Sequence, residues 1–66
     1  MRVTVKAARV NAGLKQAELA EKMGCSRDLI IDWERNKKEM TMPYFLMFCR
    51  VLGCDESDII LPKVST

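Results

Sequence analysis

The chain has 66 residues, with 11 Lys and Arg against 9 Asp and Glu, no His, three Cys and a formal net charge of +2. That length allows one domain with one small core, burying only about 60% of the surface an unfolded chain exposes. A hydrophobic content of 48%, with only three Gly and two Pro, excludes a disordered tail or linker.

No apolar run approaches the ~18 residues needed to span a bilayer, so no membrane partner is expected. Arg2, Lys6 and Arg9, scattered among Val and Ala, show no signal-peptide h-region. Without His, most hydrolytic and metal chemistry lacks its usual participant, so no catalytic residue, metal or cofactor is expected. Cys25, Cys49 and Cys54 are odd in number and contain no C-x-x-C pair. They read as reduced, mostly buried thiols of a cytoplasmic protein, with a regulatory thiol as the sharper alternative.

Gly13, Gly24 and Gly53 divide the chain at helix-length intervals, each just past a segment with helical apolar spacing. The first helix is predicted over about 3–12, with Val5, Ala8 and Val10 interleaved with Lys6, Arg9 and Asn11. The second, about 16–23, sets Leu19, Ala20 and Met23 opposite Glu18, Glu21 and Lys22. The third opens at Ser26, a capping residue, with Asp28 in its first turn, and runs to about Arg35. Asn36-Lys37-Lys38-Glu39 is a polar connection, and Pro43 suits the first turn of a fourth helix. Residues 44–52 are nearly continuously apolar, broken only by Arg50. Asp55-Glu56-Ser57-Asp58 has a helix-start composition and is expected to open a short fifth helix through Ile59, Ile60 and Leu61. Pro62 stops it, leaving 63–66 as a tail. Apart from a marginal stretch at 2–5, no strand pattern appears. The expectation is an all-α single domain over 1–62, built of five short helices.

Between the second and third helices, Met23-Gly24-Cys25-Ser26 makes an abrupt turn, with Gly at the sharp position and a capping Ser after it. Two short helices joined this way form a helix-turn-helix, here about 16–35. The turn alone is weak evidence, and the surrounding residues strengthen it. Arg9, then Leu14-Lys15-Gln16-Ala17-Glu18-Leu19-Ala20-Glu21-Lys22-Met23-Gly24-Cys25-Ser26-Arg27, followed by Ile30, Trp33-Glu34-Arg35 and Leu52-Gly53, resembles the Cro/repressor (XRE) helix-turn-helix family. The resemblance covers about 3–61. Its end, Asp58-Ile59-Ile60-Leu61-Pro62-Lys63, looks like those of small prophage-encoded regulators.

The resemblance implies a lambda-repressor-like domain whose third helix enters the DNA major groove while the second lies across the backbone. It nominates Ser26, Arg27, Asp28, Leu29, Ile31, Asp32 and Arg35 on or beside the reading helix. Gln16 matches a position that hydrogen-bonds a phosphate, with an idle first-turn polar residue as the bland alternative. Asn36, Lys37 and Lys38 match a connection running along the backbone, although such lysines can also be a solvated loop. Arg9 and Glu34 match a pair that braces the first helix against the third. Trp33 reads as packing rather than base stacking.

The sequence departs from the family pattern in two places, on the reading face and at the start of the second helix. Asp28 and Asp32 bring carboxylates to a phosphate-lined groove, and Leu29 and Ile31 donate no hydrogen bond. Carboxylates can still accept from cytosine N4 and aliphatic groups can meet the thymine methyl. Lys15 stands where the family usually has a capping Thr, Ser or Asn, a loss of about 1 kcal/mol for the helix. Modest affinity and a shallow salt dependence are therefore expected of a monomer.

Charge is uneven along the chain: residues 1–13 carry +3, residues 14–24 and 25–39 sum to zero, and residues 40–66 carry −1. The basic end is the first helix. In the fourth helix, apolar residues wrap more than one face. Tyr44, Met47 and Val51, with Ile59 or Leu61, are a candidate homodimer patch, against the alternative of simple burial. Such a dimer would read two half-sites about 34 Å apart. The expected function is a Cro-like transcriptional repressor acting on a double-stranded operator. No sensor segment follows the helix-turn-helix, which disfavours a ligand-gated repressor. The alternative is a protein-binding helix-turn-helix that modulates a partner regulator.

Overall fold

Two two-residue strands and four α-helices make up the fold of a computed structural model that describes residues 2–64. In chain order they are β1 (Val3–Thr4), α1 (Val5–Asn11), α2 (Gln16–Met23), α3 (Arg27–Glu34), α4 (Met42–Leu52), a 3-10 turn at Glu56–Asp58, and β2 (Ile59–Ile60). The strands pair in parallel, Val3 with Ile59 and Thr4 with Ile60. Of the tail expected at 63–66, Ser65 and Thr66 lie outside the described residues.

The helices start where the sequence offers an oxygen. Thr4 Oγ1 accepts the Ala7 N–H at 3.1 Å, so α1 begins at Val5 rather than Val3. The Arg2–Val5 stretch, only marginally strand-like in sequence, holds β1. Ser26 Oγ accepts the Leu29 N–H at 3.2 Å and opens α3. At α2 the Lys15 side chain makes no cap, yet Glu18 Oε1 accepts the Lys15 N–H at 2.8 Å. Half of a capping box thus survives the lysine. Gly24, at φ 71°, ends α2 in the left-handed region, and Cys25 N–H closes back on the Ala20 carbonyl at 3.0 Å. That closure redirects the chain within three residues of α3.

The expected fifth helix does not form. Asp55 and Asp58 make one tight turn, with the Asp58 N–H on the Asp55 carbonyl at 3.0 Å, and Ile59 is already extended. Three residues separate Asp58 from Pro62, too few to repay helix nucleation, and a residue before Pro avoids helical angles. Two β-branched isoleucines instead find the open edge of Val3–Thr4.

Leu19, Ile30, Trp33 and Phe48 are fully enclosed, joined by Val5, Met23, Phe45, Cys49 and Ile59. One core therefore draws on all four helices and both chain ends. Ile59 was expected on a dimer patch. At 3% exposure it is a core residue, because pairing with Val3 turns its side chain inward.

Candidate nucleic-acid interface

The expected brace between α1 and α3 positions the whole face. Arg9 is buried, and its Nε and Nη2 both donate to the Glu34 carboxylate, the latter to Oε1 at 3.2 Å. Its Nη1 donates to the Leu14 carbonyl at 2.7 Å, so one guanidinium ties α1, the α1–α2 connection and α3 together. The side chains are 10% and 4% exposed, which makes this a desolvated, two-pronged pair rather than a surface contact. Among the described residues, no buried side-chain nitrogen or oxygen lacks a partner.

Gln16, at the start of α2, extends that pair outward. Its Nε2 donates to Glu34 Oε1 at 3.1 Å, while its Oε1 accepts from Arg27 Nη2 at 3.4 Å. A continuous hydrogen-bonded path thus runs from the core ion pair through Gln16 to the exposed first residue of α3. The link between Gln16 and Glu34 spans 18 residues and has no local sequence signal. Only the coincidence of both side chains at the α2–α3 corner creates it.

The remaining candidates fall into four groups. Arg27 and Asp28 are exposed at the start of α3, beside Gln16, and Ser26 spends one lone pair on its cap. Leu29 packs against the core, and Ile31 is half-buried, so the aliphatic share of the outer face is smaller than the sequence suggests. Asp32 is half-buried with Lys38 Nζ 3.7 Å from its Oδ2, a contact that offsets one carboxylate at the face. Arg35, Lys37 and Lys38 are exposed after the helix, and Asn36 turns the chain at φ 58°. Asn is one of the few side chains that tolerate that region. Its Oδ1 accepts the Lys63 N–H at 3.2 Å, a contact unforeseen in the sequence.

Away from this face, Tyr44 stands edge-on to Trp33, ring centroids 5.2 Å apart, and so contributes to packing as well as surface. Met47 and Leu61 are exposed, whereas Val51 is half-buried against the core. Met42 and Leu46, not singled out in the sequence, are 57% and 48% exposed and enlarge the apolar face of α4. The three cysteines are free. Burial raises the Cys25 thiol, and burial with the adjoining Cys54 pushes Cys49 up to about 11. Neither is an activated thiolate. No helix among the described residues is long and apolar enough to cross a membrane.

With this corner and brace in place, the chain belongs to the helix-turn-helix family, of the Cro/repressor (XRE) class, whose family model matches residues 5–59. It is similar to the crystal structure of the hypothetical transcription factor NHTF from Neisseria, at 28% identity and a TM-score of 0.78. The similarity covers 88% of this chain but 65% of that one, so the chain spans slightly under two thirds of its structural relative. No curated protein sequence matches it.

Proposed function

We propose that the chain is a sequence-specific DNA-binding transcriptional regulator that lays α3 in the major groove of a double-stranded operator. The observation that carries this reading is the hydrogen-bonded path from Arg9 and Glu34 through Gln16 to Arg27. It holds one neutral amide and one cation at the corner where a helix-turn-helix meets a phosphate and a base edge. Arg27 and Asp28 read bases; Ile31 and Asp32 flank them; Gln16, Arg35, Asn36, Lys37 and Lys38 contact the backbone. Met47, Leu61 and Tyr44, together with Leu46, supply a homodimer surface, and a dimer occluding promoter DNA acts as a repressor of the Cro type.

A second reading is favoured by one observation. Apart from Glu34, which Arg9 neutralises, α3 carries a single base, Arg27, against two acids, Asp28 and Asp32. A face of that composition also suits a partner regulator protein. Titration of a nonspecific duplex at low and rising salt separates the two. Binding that weakens as salt rises supports DNA recognition. No binding at low salt overturns it in favour of a protein partner.

A further inference from the structure

The C-terminal segment, unremarkable as sequence, lies against the backbone-contacting connection. Asn36 Oδ1 holds the Lys63 N–H at 3.2 Å, across 27 residues, at the point where the chain leaves α3. Beside this tether is a cavity of about 280 Å³ whose lining is mostly apolar, with Trp33, Leu61 and Pro62 in it, and also includes Lys6, Asn36 and Lys63. Glu34 also reaches it, but its charge is already met by Arg9 and one of its oxygens by Gln16. Two lysines without an ion pair among the described residues, and an amide whose Nδ2 is not used by the tether, therefore border a concave surface whose one acid, Glu34, is already compensated.

We propose that this cavity is a backbone-phosphate subsite, in which Lys63 and Lys6 take the duplex phosphate next to the one contacted by Asn36, Lys37 and Lys38. The inference rests on the DNA-binding reading and extends it to a segment outside the helix-turn-helix. Three observations converge on it: the Asn36 tether fixes where Lys63 leaves the main chain, the cavity joins both lysines, and Asn36 belongs at once to the cavity and to the connection. The tether makes Asn36 a positioning residue for Lys63 as well as a contact. It also gives a non-glycine residue a reason to occupy the left-handed region, where a hydrogen-bonding side chain offsets the strain.

The test uses Lys63→Gln, which removes the charge but leaves the main-chain N–H on Asn36. Affinity for a nonspecific duplex is measured against salt for the parent chain, this variant, and a Lys22→Gln control on the last turn of α2. Loss of one phosphate contact lowers the slope of log affinity against log salt by about 0.9. The parent's advantage over the variant should therefore shrink about 3.5-fold between 50 and 200 mM salt, a ratio that follows from that slope. The control should keep the parent's slope. In an Asn36→Gly background, which suits the turn but drops the acceptor, Lys63→Gln should cost less than in the parent. A parent slope retained by Lys63→Gln overturns the subsite while leaving DNA binding intact. An equal cost of Lys63→Gln with and without Asn36 overturns the tether as its positioning device. A parent chain that binds no duplex at low salt overturns the underlying reading itself.

Discussion

Arg9 and Glu34 carry a larger share of this molecule than any surface pair could. Taking one charge away leaves the other desolvated, so Glu34→Gln should destabilise by on the order of 3 kcal/mol. In a domain this small that is a fall of roughly 12–24 °C in Tm, read by thermal denaturation. Arg27→Ala should behave differently: affinity for duplex falls while Tm holds, because among the described residues its side chain makes only an exposed hydrogen bond, to Gln16. Gln16→Ala lies between, weakening DNA binding and also costing about 1 kcal/mol through its bond to Glu34. The Cys49 thiol supplies a pH signature. Its folded value of about 11 lies above the ordinary 9, so its contribution is complete below pH 9 and is lost as pH rises towards 11. Chemical denaturation across that window should show falling stability, and Cys49→Ala should flatten the fall. The sequence made Arg9 and Glu34 visible because both residue types occupy recognisable positions around the helix-turn-helix. It could not show Gln16 bonded to Glu34, or Lys63 on Asn36, since both depend on where separate helices and a chain end come to rest.

Among the elements, the α2–α3 corner decides orientation. Gly24 sits at φ 71° with open space where a Cβ would go, so Gly24→Ala meets no clash and costs backbone strain alone, about 1–2 kcal/mol. Lys15 offers the opposite experiment. It stands at the N-cap with no side-chain bond while Glu18 already reaches back to its N–H. Lys15→Ser completes the box and should raise stability by about 1 kcal/mol, a gain visible as a higher Tm. Helices with a cap and an apolar stripe were legible from residue spacing, and so was the Gly-containing corner. The last element was not. Asp55 to Asp58 has the composition of a helix start, but a helix there would have needed length that Pro62 removes and would have left Val3 and Thr4 unpaired. Short segments of β-branched residues take their structure from whatever edge is available.

At the scale of the whole molecule, the proposed reading gives binding to Arg27, Asn36, Lys37, Lys38 and Lys63 and pairing to the exposed apolar residues of α4. Met47→Lys and Leu46→Lys each place a charge within the exposed apolar face, so on the proposed reading sedimentation equilibrium should give a dimer for the parent and a monomer for each variant. An unchanged molecular mass would move the dimer contact off α4. The net charge of +2 suggests little by itself. Its distribution matters more, because Asp32 is met by Lys38 and Glu34 by Arg9, which leaves Arg27, Arg35 and Lys37 without an ion pair among the described residues. The most direct measurement is selection of bound sequences from a random duplex pool, run in parallel with the parent chain and with Arg27→Ala. Enrichment of a defined sequence by the parent, with preference lost at one base position in the variant, is the result expected of an α3 that reads the major groove. A pool left unenriched by the parent, or one enriched identically by the variant, would contradict it.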